Sequence, residues 1–197
     1  MKEKVTFGSA NSPIIMFDRE KALNAVLYIA KQVERSDFHK VFKVLYFAEQ
    51  KHLARYGSPI IGDVFIAMKN GPVPSKIYDI LKALRNELAF TVDTQFEKKL
   101  IEVKDNHSIL PIGEVDRELF ADTEFECLDE SITENKSLSF ALLTEKSHDE
   151  AWRKADANDR MSLLDIARVG GAPSGMIPYI QEVLENQMAF SHAPTAG

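Results

Sequence analysis

The stretch "FHKVFKVLYFAEQKHLARYG" (Phe38–Gly57) decides how this chain must fold. Phe38, Val41, Phe42, Val44, Leu45, Tyr46, Phe47 and Ala48 leave almost no polar face at helical spacing. A helix apolar nearly all round has to be enclosed by other elements, so the spacing predicts the central helix of the fold. Asp37 is placed to cap its start and Gly57 to stop it in a left-handed conformation. Glu49, Gln50, Lys51 and Arg55 predict that its later half emerges to solvent.

Upstream, Ala22, Ala25, Val26, Ile29, Ala30 and Val33 form the stripe of an amphipathic helix capped by Asp18. Residues 1–18 read as an arm. Downstream, "SPIIGDVFIAM" (Ser58–Met68) reads as a strand region, its β-formers interrupted by a Gly62-Asp63 turn. At "KNGPVPS" (Lys69–Ser75) the signal changes abruptly. Pro72 and Pro74 hold the residues before them out of the α region, and Gly71 allows a conformation other residues resist. Ser75 is expected to cap the next helix. The residues describe a stiff corner from strand to helix, with Lys69 and Asn70 on an exposed ledge.

The run "FEKKLIEVKDNHSILPI" (Phe96–Ile112) predicts a hairpin about Lys104-Asp105-Asn106. Leu100 and Val103 are expected to face Ile109 and Leu110, with Asn106 taking the left-handed turn position. From Asp116 the chain is helical again, and the acids between Glu114 and Glu134 read as a solvated face. Ser147-His148-Asp149-Glu150 resembles a capping box before Trp152, and Ser162 starts "LLDIARVGG". Pro178 falls in the first turn of a last helix. The predicted class is α+β and mostly α-helical: one helical domain around a buried central helix, with a small antiparallel β element.

A length of 197 residues, 45% hydrophobic and 27% charged, suits a soluble globular protein. The net charge of -6 argues against direct nucleic-acid binding, which needs a basic face. Cys127 is the single cysteine, so neither a disulfide framework nor a thiolate cluster is expected. It reads as a small buried hydrophobe. The first residues lack the apolar core of a secretory signal, and no run is long enough to span a membrane; a cytoplasmic location is expected. The histidines and acids show no metal-ligand spacing, and neither cofactor nor metal is expected. His148 with Asp149 or Glu150 is the most site-like cluster, the basis of a minor alternative in which the chain is a small hydrolase. The residues by themselves favour a binder over an enzyme.

"KVLYFAEQKHLARYGSPIIGDVFIAMKNGPVPSKIYDILK" (Lys43–Lys82), followed by "LLTEKSHDEAWRKA" (Leu142–Ala155), resembles the Panacea, or SocA-like, phage-associated antitoxin family. The positions that carry the likeness are Lys43, Leu45, Tyr46, Phe47 and Ala48; Gly57 and Pro59; Lys69, Gly71, Pro72 and Val73; then Thr144, His148 and Trp152. The resemblance covers residues 19–155 and leaves 156–190 as a helical extension and 191–197 as a disordered tail. It implies a non-enzymatic antitoxin that neutralises a cognate protein toxin encoded beside it. An alternative it also implies is an adaptor delivering that toxin to an AAA+ protease of the ClpXP type. Partner contacts are expected at Glu49, His52, Lys69, Asn70, Thr144 and His148. Lys43, Tyr46, Gly57, Pro59, Gly71, Pro72, Val73 and Trp152 are expected to be scaffold.

Overall fold

The computed structural model describes residues 16–85 and 94–191. Most of the expected N-terminal arm, and the expected tail beyond Ser191, lie outside the described residues. In chain order the elements are α1 (Arg19–Gln32), α2 (Phe38–Tyr56), β1 (Phe65–Met68), β2 (Gly71–Pro74) and α3 (Ser75–Leu84). Then come α4 (Glu97–Leu100), β3 (Ile101–Val103), β4 (Ile109–Pro111) and a 3-10 turn at Arg117–Leu119. The chain continues with α5 (Asp122–Asn135), α6 (Phe140–Ser147), α7 (Glu150–Lys154), α8 (Leu163–Val169) and α9 (Met176–Ser191). It is mostly helical with two small antiparallel hairpins, the predicted α+β class.

Asp18 and Asp37 cap α1 and α2 by accepting from the Lys21 and Lys40 N–H groups, and α2 stops at Gly57, whose φ is 74°. Val41, Val44, Leu45, Tyr46 and Ala48 have no exposed surface, so α2 is the central helix. Its later half corrects the expectation. Glu49, Gln50 and His52 are buried, because the segment after Gly57, α5 and α8 close over that end. The Glu49 carboxylate accepts from the Ile60 and Ile61 N–H groups at 2.7 and 2.9 Å, and burial still pushes it up to about 7. His52 Nδ1 donates to the Ser58 carbonyl at 2.7 Å, tying the Gly57–Pro59 loop to α2. Lys51 and Arg55 do reach the surface, where they meet α5 acids. Arg55 forks onto Glu130 at 2.7 and 2.6 Å and holds that carboxyl down at about 2. Lys51 pairs with Glu134 at 2.7 Å, and Lys21 of α1 with Glu124. Part of the acidic run therefore binds the protein's own helices.

The predicted corner is a hairpin. β1 and β2 pair antiparallel around the two-residue turn Lys69-Asn70, with Phe65 opposite Pro74 and Ala67 opposite Pro72. Ile60 and Ile61 stay outside the strand because Glu49 takes their N–H groups. Two prolines fit in β2 because of the ladder's alternation. Phe65 and Ala67 turn their backbone groups away, to Met161 N–H and Asp159 C=O, so the positions facing them need no donor. The cap of α3 is another correction. The Ser75 hydroxyl does not cap it; the buried Asp63 carboxylate accepts from the Lys76 and Ile77 N–H groups at 3.1 and 3.0 Å.

In the second hairpin Val103 faces Ile109 as expected, while Leu100 belongs to α4. The left-handed residue of the turn is His107 (φ 66°), not Asn106, whose side chain accepts from the Ser108 N–H. That exchange puts the His107 carbonyl on the Phe38 N–H at 3.0 Å, pinning the turn to the start of α2. At the other end of the fold, Ser147 closes α6 and Asp149 caps α7, two residues later than the expected box. Ser162 caps α8 as predicted. Among the described residues no helix is long and apolar enough to cross a membrane.

Candidate functional site

The residues quoted above for their spacing converge on one side of α2. The Lys43 ammonium, one per cent exposed, donates to the Pro72 carbonyl at 2.8 Å and so grips β2. One turn on, Tyr46 Oη donates to Asp149 Oδ2 at 2.9 Å, and Gln50 Nε2 donates to the same oxygen at 2.6 Å. Asp149 Oδ1 accepts from the Trp152 N–H at 3.0 Å, capping α7. The Trp152 indole N–H then donates to the Met68 carbonyl at 2.9 Å, and His148 stacks on its ring at 3.7 Å and 11°. The chain of contacts runs from α2 to α7, to the hairpin tip, and back through Pro72 to α2.

Burial governs the protonation of these groups. It pushes Tyr46 well above the ordinary phenol range, helped by the Asp149 charge, and pushes His148 down. It lowers Lys43 to about 7. Two measurable consequences arise here. Tyr46→Phe removes the phenolic donor and leaves Asp149 with one side-chain partner fewer in a buried place. It should cost about 1–2 kcal/mol in a denaturant melt, against little change for Tyr56→Phe at the exposed end of α2. The second concerns pH. Lys43 binds its proton more weakly folded than unfolded, so the unfolded chain holds more protons between about pH 7 and the usual lysine range, and stability rises with pH there. The contribution is fully present above the unfolded pKa and is lost as pH falls toward 7. Wild-type stability measured against Lys43→Met should climb by up to about 1 kcal/mol per pH unit between about pH 7 and 9, because Lys40, Glu49 and Cys127 titrate in both proteins and Lys43 in only one.

Of the six expected contact residues, four come together. Lys69 and Asn70 form the exposed hairpin tip, His148 lies beside it, and Thr144 sits one turn earlier on α6, its hydroxyl 2.9 Å from His39 Nε2. Glu49 and His52 belong elsewhere, buried in the structural roles given above. The hydrolase dyad does not form: Asp149 uses both oxygens on Tyr46, Gln50 and Trp152, and Glu150 pairs with Lys154. No group of three or more potential metal ligands occurs among the described residues. Cys127 is buried with its thiol pushed up to about 11, the state of a packing residue.

Beside the hairpin tip lies a groove of about 710 Å³. Its floor is the first turns of α2, with Phe38, His39, Phe42 and Lys43; Tyr78, Phe140 and the Asn106–Ser108 turn supply walls. His39 stacks on Phe140 at 3.8 Å, and burial lowers it to about 4, so it is a neutral ring at ordinary pH. These lining residues escaped the sequence reading. Phe38 and Phe42 are core, as their spacing predicts, and the open ring surface belongs to Tyr78 and Phe140.

The dispersed residues that carry the resemblance thus lock a hairpin tip onto the central helix of a mostly helical domain. The family description "Antitoxin SocA-like, Panacea domain" matches residues 41–153. The chain belongs to that family, and the matched span begins on α2 and ends one residue after Trp152. No curated protein and no solved structure matches it.

Proposed function

We propose that this protein is an antitoxin that neutralises a protein toxin by binding it directly. The observation that carries the reading is where the signature residues go. Lys43, Tyr46, Gly71, Pro72 and Trp152 are occupied in holding the hairpin tip, α6 and α7 in a fixed relation, which suits preorganised binding. Lys69, Asn70, Thr144 and His148 are then the proposed contacts. Rigid presentation reduces the ordering cost of association, so a small surface can bind tightly.

The test is co-expression with the product of the neighbouring gene. Rescue of growth together with a complex that co-purifies is the expected result. A harmless neighbour, or rescue without a complex, would remove the reading. The toxin's lifetime in a reconstituted AAA+ protease reaction separates the two modes. An unchanged lifetime is expected for direct neutralisation, and a shortened one would replace it with the adaptor.

A further inference from the structure

We infer that the groove between α2, the β1–β2 hairpin and α6 is the seat for an extended peptide segment of the toxin that carries an acidic side chain next to an aromatic or aliphatic one. The inference rests on the antitoxin reading and adds which surface is used and what chemistry it takes. Charge gives the first ground. The chain carries a net charge of -6, yet Arg35, Lys43 and Lys69 line this groove with Asp37 the one acid among its lining residues. Asp37 is already engaged, capping α2 and pairing with Arg35 at 2.5 Å. With Arg35 and Asp37 paired to each other, the groove keeps a net positive charge from Lys69 and a partly protonated Lys43 on an otherwise acidic protein, and this steers acidic segments in and basic ones away.

The lining between the charges is the second ground. Tyr78 and Phe140 present ring surface beside the buried rings of Phe38 and Phe42, and Phe140 remains 43% exposed although it stacks on His39. Exposed aromatic surface in a concave site is where binding energy concentrates, because its burial returns much apolar area at little conformational cost. Two polar groups at the floor are under-used. His39 Nδ1 is buried without a hydrogen-bond partner, and Lys43 directs one of its three donors to Pro72. A carboxylate or a backbone carbonyl of the incoming segment supplies the acceptor that Lys43 can still use. Cationic edges, aromatic walls and spare donors at the floor together specify an acidic-apolar peptide. Stacking surface alone would not distinguish it from other guests.

The experiment uses the full chain with the neighbouring gene product and with 12-residue synthetic peptides tiled along that product's sequence. Lys69→Glu and Phe140→Glu change exposed groove positions, and Ile112→Glu, 53% exposed just past β4, is the control away from it. Thermal melts first establish that all three fold. The expected result is a loss of affinity of tenfold or more for each groove variant, loss of growth rescue in the double variant, and none for Ile112→Glu. Among the tiled peptides, those pairing an acid with an aromatic or aliphatic residue should bind the wild type and not the double variant. If the wild type rescues growth and both groove variants rescue it equally, the groove is overturned while the antitoxin reading survives. Binding confined to basic or wholly apolar peptides also overturns it. If the wild type itself fails to rescue, the antitoxin reading fails, and the groove inference goes with it.

Discussion

Lys40→Met should lower the unfolding free energy by about 3–4 kcal/mol, one of the largest single-residue losses in this fold. The Lys40 stem lies under the core with the residue one per cent exposed. Its ammonium donates to the carbonyls of Asn135, Lys136 and Leu138 at 2.8, 2.9 and 2.6 Å. Those carbonyls sit where α5 ends and turns toward α6, a place where helix C-terminal oxygens have no intrahelical donor and the helix dipole is negative. Three N–H groups meet three acceptors. Methionine keeps the apolar stem and removes every donor, so the loss measures the tripod and not the packing. Lys40→Arg should also destabilise, since a planar guanidinium does not reproduce a three-way geometry. Chemical denaturation followed by far-ultraviolet dichroism reads the effect. A loss below about 1 kcal/mol would show that water replaces the ammonium there.

Gly71→Val should be comparably damaging, costing more than about 3 kcal/mol and leaving the β1–β2 hairpin unformed. Two effects add. Gly71 has φ of 97°, a conformation that β-branched residues resist. A Cβ there would also overlap Ser147 Oγ and lie 2.7 Å from Lys43 Cε. The second contact matters because Lys43 is the residue that grips Pro72, so the new side chain would displace the clamp itself. Hydrogen exchange at Ile66 and Ala67, with a thermal melt, is the measurement. A variant that folds with native stability but no longer binds its toxin would instead make Gly71 a contact residue.

How much of this was legible in the sequence follows the range of the interactions. The caps at Asp18, Asp37, Ser162 and the stop at Gly57 are local, and each occurs where its residue type predicts. Burial of α2 was legible because an all-apolar helix has one solution. Capping supplied from a distance was not. Asp63 reaches the start of α3 from before β1, so Ser75, the local candidate, is superseded. The fate of Glu49 and His52 was hidden for the same reason: polar residues near the end of a helix look solvated until the returning chain offers them buried partners. Of the candidate site, the ledge at Lys69-Asn70 was legible in the Gly-Pro spacing and His148 in its acidic neighbours, while Thr144 entered through the resemblance alone. The groove was illegible because aromatic residues at core spacing look alike whether or not a neighbour covers them.

The double grip of Tyr46 and Gln50 on Asp149 has a consequence for how the chain tolerates change in length. These donors lie one turn apart on a single helix, so the position of α7 is set from α2 and the β1–β2 hairpin and does not depend on the β3–β4 turn. The β3–β4 hairpin hangs from the start of α2 by its own bonds, Phe38 to His107 and Ile109 to Ser36. Insertions or deletions around its turn therefore have no lever on the distance between Trp152 and Met68. The same turn walls the groove at Asn106–Ser108, so a loop graft there would alter the groove while leaving the Trp152–Met68 contact in place.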